Sequence, residues 1–241
     1  MIEIDLITKH GKKALGMNAA PAHPTGWRHR LSEILLEIGI IVFAITLSIQ
    51  LHSWHQHTVE RAEERQFLTG LRADLKSDLV ELRGDSLTYV KLVRAYQYFQ
   101  TLSPQTARVD STKKYRWMLY NTTNLMPNSS RFEGFKSAGK LGLIADTELL
   151  NDILEYYQEN IPSLLNETRG FSTYKERTIQ QYLDEHLHRS EDNFLAVMQS
   201  DQMYHYLNKA SLIQVITHRY HEVLQQTRKI IRETDSQLAS K

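Results

Sequence analysis

The feature that most constrains this chain is an apolar run near its N-terminus. From Leu31 to Trp54 the sequence reads LSEILLEIGIIVFAITLSIQLHSW, with no charged residue between Ile38 and Ser53. At 1.5 Å rise per residue this makes a helix of roughly 36 Å, enough to cross a hydrocarbon core of about 30 Å. Glu33 and Glu37 stand at one end and Gln50 and His52 at the other, while Trp27 and Trp54 fall where tryptophans collect at a membrane interface. A cleaved signal peptide fits less well, because about thirty residues precede the run and no small-x-small site follows it. A buried helix of a soluble protein is the bland alternative. The expectation is one transmembrane helix over 31–54.

Lys12, Lys13, Arg28 and Arg30 precede the span, and Arg61, Arg65 and Arg72 follow it. The bias is small, and a long following domain crosses whatever its charge. The expected topology is a single pass, with a cytoplasmic N-terminus and the C-terminal domain on the far side of the membrane. Residues 1–30 hold Gly11, Gly16, Pro21, Pro24 and Gly26 without an apolar period. They read as a flexible cytoplasmic tail, shorter than the output module of a transmembrane kinase or cyclase.

Residues 55–241 read as a helical extramembrane domain, so the fold class is all-α: a membrane helix continuing into a long helix, packed with others in a bundle. Leu68, Leu71, Leu75, Leu79 and Leu82, then Val90, Val93 and Tyr96, recur at helical steps as far as a stop at Ser103 and Pro104. Arg72, Asp74, Lys76, Asp78, Glu81 and Arg83 fall largely off that stripe and are expected in water. A short helix should start at the cap Asp110, ahead of an Asn-rich loop over 121–130. Further on, Ser130 and Glu133 have capping-box spacing, Phe132 and Phe135 share a face, Gly139 is placed to end the helix in a left-handed conformation, and Asp146 caps the next one. Pro162 should break or kink the chain before a helix to about Leu187. A last helix over 202–238 would bury Tyr206, Leu212, Ile213, Ile216, Tyr220, Val223, Leu224, Thr227 and Ile231.

Two stretches resemble a family of bacterial single-span membrane proteins catalogued as a domain of unknown function. Glu37, Gln50 and Trp54 match its glutamate, apolar run, glutamine and tryptophan, although His52 and Ser53 stand where that family usually has asparagines. Phe135, Lys136, Ser137, Gly139, Leu141, Leu143, Ile144, Glu148, Leu149, Tyr156 and Tyr157 match its Phe-Lys-Ser-x-Gly turn and paired-tyrosine helix. The resemblance covers about a quarter of the chain. It implies membrane topology and a helical fold, and it supplies no activity.

Motifs for catalysis are missing. The chain has no cysteine, which excludes disulfides, zinc ribbons, iron–sulfur ligation and a thiol nucleophile. A net charge of +1 does not suit nucleic-acid binding. No phosphate loop, nucleophile elbow or HExxH occurs. His218 with His221 or Glu222 offers two metal ligands on one helical face, but no third. Asp184 and His188 are expected to pair on the surface. The tyrosines Tyr96, Tyr98, Tyr156, Tyr157, Tyr204 and Tyr206 read as core-edge residues with wet hydroxyls. The chain is therefore expected to be no enzyme and to need no cofactor. Its expected role is a membrane-anchored scaffold or adaptor, the alternative being an extracytoplasmic ligand-binding sensor; the expected partners are the lipid bilayer and either another copy or another membrane protein.

Within the span, Ala44 and Ser48 form a small-x-x-x-small pair, on one stripe with Glu37, Ile41 and Leu51. Gln50 and Trp54 complete the residues singled out there. Replacing Ala44 and Ser48 together by Leu should leave insertion intact and remove crosslinked species formed through the span; crosslinks at full yield would reject this packing face.

Overall fold

The structure is a computed structural model that describes residues 27–103, 105, 109–210 and 213–240, without the side chains at 28–30, 33, 109 and 110. The first 26 residues of the expected tail, the stop at Pro104 and the expected core residue Leu212 lie outside what is described, as do the side chains of Arg28, Arg30 and Glu33; Asp110, expected as a cap, is instead the second residue of a helix that starts at Val109. The described residues are helical and contain no strand. They run as α1 (Trp27–Gln100), α2 (Val109–Tyr120), α3 (Ser130–Ser137), a 3-10 turn (Leu141–Leu143), α4 (Thr147–Glu155), α5 (Ile161–Lys175), α6 (Gln181–His186), α7 (Phe194–Met198), α8 (Asp201–Lys209) and α9 (Ile213–Ala239). The chain divides into two compact units, Met1–Thr58 and Val59–Lys241, and α1 has residues in both.

In the first unit the described side chains of 31–54 are all exposed, including Leu36, Phe43 and Trp54 at 62%, 67% and 72%. Mean hydropathy over the most apolar eighteen-residue window reaches 2.3, and none of that window is buried. This is a helix apolar and long enough to cross a membrane.

The second unit is built on α1. Its interior positions are Glu64, Leu68, Leu71, Leu75, Asp78, Leu82, Asp85, Tyr89, Leu92, Tyr96 and Phe99, all buried. They alternate steps of four and three, the 3.5-residue period of a coiled-coil seam. Of the expected stripe, Leu68, Leu71, Leu75, Leu82 and Tyr96 are buried, while Leu79, Val90 and Val93 are half-buried, the seam passing instead through Asp78, Tyr89 and Leu92. Aromatic contacts tie the helices of this unit together. Phe67 stacks on Phe135 at 3.9 Å, Phe132 on Tyr157 at 4.5 Å, and Tyr89 lies 5.2 Å from Tyr220 and 6.1 Å from Phe171.

Several expected boundaries are corrected. The capping box does not form: Ser130 is the first helical residue, Ser129 sits at the cap without a side-chain bond, and the Glu133 N–H donates to the Ser129 carbonyl at 2.9 Å. The start of α3 is held instead by Arg131, whose Nε donates to Asp74 at 2.8 Å. Pro162 does not break its helix. A π turn over Tyr156–Asn160 precedes it, with Ile161 N–H donating back to Tyr156, so one continuous helical run extends from Thr147 to His186. Proline is tolerated in the first turn after such a bulge because its missing N–H is not needed there. The single last helix is two. Ser200 caps α8 through its hydroxyl, which accepts from Met203 N–H at 3.2 Å, and α9 starts afresh at Ile213.

The corner after α3 has the expected geometry. Gly139 has φ +69°, its N–H donates to Lys136, and the next N–H, of Lys140, reaches back to Phe135 at 3.1 Å. This pair of bonds is a Schellman termination. Asp146 then caps α4, accepting from Glu148 and Leu149 at 2.9 and 3.1 Å. Gly139→Val should destabilise the domain by about 1–3 kcal/mol, because a β-branched residue is strained at positive φ. An unchanged melting temperature would count against that cap.

Candidate functional site

The segment 121–129 between α2 and α3 forms neither helix nor strand, so its backbone groups must find partners elsewhere. The partners come from α1. Asp85 accepts from the Thr123 hydroxyl, and Tyr89 donates to the Thr123 carbonyl at 3.0 Å. Glu81 accepts from Met126 N–H at 2.9 Å. Asp78 accepts from Asn128 N–H at 3.1 Å and from its amide Nδ2 at 2.6 Å. Further along, Glu64 accepts from Ala145 N–H at 3.0 Å. As the numbers rise along α1 they fall along the segment, so the segment runs antiparallel against a ladder of carboxylates.

Three of those carboxylates, Glu64, Asp78 and Asp85, are buried and occupy core positions of the α1 seam. This corrects the expectation that Asp78 faces water. Burial raises the pKa of Asp78, opposed by its bonds from Asn128; burial likewise raises Asp85, opposed by the Thr123 hydroxyl. Hydrogen bonds to a charged group contribute about 1.5–3 kcal/mol each, and removing one partner of a buried ionic group costs more than that. The ladder is a strong tie bought with desolvation.

A buried cation holds the other side of the segment. Lys175 is fully buried, and its Nζ donates to the carbonyls of Met118 and Asn121 at 2.6 and 2.5 Å. Gln180 donates to the carbonyls of Tyr120 and Leu119 at 2.8 and 3.4 Å. Together they satisfy the C-terminal carbonyls of α2, a place where the helix dipole favours a cation. A π turn over Glu176–Gln180 separates the two residues, and its i→i+5 geometry brings residues five apart into line. Burial pushes the Lys175 ammonium down to about 7. The neutral amine still has two N–H groups for two carbonyls, so the tie survives deprotonation.

Other singled-out residues lie apart. His218 Nε2 is 3.3 Å from Glu222 and His221 contacts Gln225 at 2.7 Å, so the two histidines point to different partners. Among the described residues no group of three or more His, Asp or Glu could hold a metal ion. His188 pairs with Asp192 at 2.8 Å rather than with Asp184, because the helix ends at His186. Tyr96, Tyr156 and Tyr157 are interior, not core-edge, and the Tyr96 hydroxyl is buried without a partner among the described residues; Tyr204 is 51% exposed. Glu37, Ala44, Ser48, Gln50 and Trp54 are all exposed on α1.

Two of the concavities among the described residues differ sharply in character. An open polar groove of about 740 Å³ is lined by Asp152, Arg219, Glu222, Arg228, Lys229 and Arg232, and much of its charge is paired internally: Lys229 with Asp152 at 2.6 Å, Arg219 with Glu167 at 3.2 Å and with Glu222 at 3.0 Å. A smaller cavity of about 290 Å³ is mostly apolar, lined by Phe171, Tyr174, Ala210, Val215 and Ile216, with Glu167 and Lys209 beside them. Comparison with protein families, curated proteins and solved structures finds no match to this chain.

Sequence reasoning missed Lys175, Glu64, Asp78 and Asp85. For the carboxylates a signal existed, since Glu64, Leu71, Asp78, Asp85, Leu92 and Phe99 recur every seventh residue. For Lys175 there was none.

Lys175 yields a pH prediction with a defined sign. Its folded pKa lies below the unfolded value, so its contribution to stability is present above about pH 10.4 and is lost as pH falls through about 7. Lys175→Met should therefore be destabilised by about 1–3 kcal/mol, through the two carbonyls left without a donor. The stability difference between natural chain and variant, measured by denaturant titration, should widen from pH 7 to 10. A difference independent of pH would reject the buried ammonium.

Proposed function

We propose that this protein is a single-pass adaptor of the bacterial inner membrane, with its N-terminus in the cytoplasm and its helical domain in the periplasm presenting a surface to a partner. The observation that carries this reading is the apolar, wholly exposed helix of 31–54, a surface that the chain itself leaves uncovered. Exposed apolar area on that scale is costly in water and favourable in lipid. The proposed membership in the single-span family resembled by Glu37, Gln50, Trp54 and the Phe135–Tyr157 stretch agrees with it.

The inner chemistry supports docking over catalysis. The buried ionisable groups Glu64, Asp78, Asp85 and Lys175 are engaged in tying the chain to itself. On the outside, Val80, Leu87, Trp117 and Met126 are 70%, 61%, 49% and 79% exposed, which offers a partner aliphatic and aromatic contacts. A sensor is the second reading, and the apolar cavity beside Phe171 and Tyr174 favours it.

Full-length protein should stay with membranes through an alkaline carbonate wash, while a chain beginning at His57 should be soluble and helical. Full-length protein in the detergent-free soluble fraction would overturn the anchor. Crosslinking in native membranes separates the two roles: one dominant protein partner supports the adaptor, and a small molecule retained by the purified domain supports the sensor.

A further inference from the structure

The face of α1 opposite the buried seam carries a second stripe. Ala73, Ser77, Val80, Gly84 and Leu87 are all exposed and follow steps of four, three, four and three. Val80 and Leu87 are 70% and 61% exposed, and Met126, tied to Glu81 beside the stripe, is 79% exposed. Gly84 adds an independent observation. Glycine is the costliest residue after proline in a helix interior, its φ here is ordinary, and a Cβ at this position would meet nothing within 4 Å. Among the described residues nothing crowds this position, so a second backbone has room to approach closely there.

We propose that this face of α1 pairs with the same face of a second copy of the chain, in parallel and in register, as a short two-stranded coiled coil. The proposal names the docking face that the adaptor reading calls for, and rests on that reading for a membrane that holds both copies in one orientation. A 3.5-residue repeat keeps a narrow stripe facing its partner over several turns. Ala73, Val80 and Leu87 take one core position of the repeat, and Ser77 and Gly84 the other.

The flanks identify the occupant. Lys76 and Arg83 border the stripe on one side; on the other lie Asp74, which pairs with Arg131 of its own chain, and Glu81, whose carboxylate accepts from Met126 N–H. In a parallel, in-register pair the basic edge of each helix meets the acidic edge of its partner, with Lys76 opposite Glu81 of the second copy, five residues on. An antiparallel pair would set basic edge against basic edge and acidic against acidic. Self-complementarity of this kind belongs to a second copy in parallel. From Ala73 to Leu87 the stripe is only about 21 Å long, so confinement in a bilayer supplies the effective concentration that a short seam needs.

The test uses the full-length chain in membranes. There is no native cysteine, so Ala73→Cys, Val80→Cys, Leu87→Cys and, as an exposed control on α9, Gln225→Cys each carry a single thiol. On mild oxidation the first three should each form a disulfide-linked dimer, and Gln225→Cys should not. Adding Val80→Asp and Leu87→Asp to Ala73→Cys should cut its dimer yield at least tenfold without changing the melting temperature, since both side chains are exposed. Equal linking at all four positions, linking at none of the three, or Ala73→Cys linking only to Leu87→Cys in mixed samples would each overturn the proposal. A carbonate wash of the same membranes keeps the two readings separate. Absent dimers with the chain in the pellet reject the seam alone; chain in the supernatant rejects the anchor alone.

Discussion

A carboxylate inside a protein is tolerated where donors converge on it, and the path of this domain is arranged around that requirement. Asp78 and Asp85 sit at core positions of α1, where an aliphatic residue would otherwise belong. Their donors come from Asn128, Thr123 and Tyr220. The segment 121–129, in turn, has backbone groups that no regular element satisfies. Each side supplies what the other lacks. The polar interior of α1 and the irregular segment are therefore one device, and it sets where α3 begins and how Phe132 and Phe135 reach Tyr157 and Phe67.

The same logic governs the end of α2. Four carbonyls at a helix C-terminus need donors, and Lys175 with Gln180 provides them from a neighbouring helix. The wider π turn between these two residues has a local cost in helix geometry, and its return is that both point at the same helix end. A second π turn, at Tyr156–Asn160, lets Tyr156 and Tyr157 both be buried ahead of Pro162 while the helix continues. Bulges that in other proteins mark reactive sites here align side chains for packing and capping.

While Glu64, Asp78, Asp85 and Lys175 are committed in this way, parts of the outer surface stay uncovered. The apolar helix of the first unit is uncovered along its length. In the second unit α1 has two stripes of the same period, one filled by its own domain and one open. These are the surfaces on which the proposed anchoring and docking would rest.

Much of the fold was legible in the sequence because it depends on local periodicity and local stereochemistry. The apolar run, the stripe to Leu82, the left-handed Gly139 and the cap Asp146 are each set by residues within a turn or two of one another. What tertiary structure decided involves partners far apart in the chain. Asp78 reads as a surface charge until Asn128, fifty residues on, arrives with two donors; Ser130 reads as a cap until the start of α3 is held from α1. Lys175 is an ordinary helical lysine in sequence. Only the packing of α5 against the end of α2 removes it from water and gives it two carbonyls, because desolvation is a property of the assembled core and not of any stretch of chain.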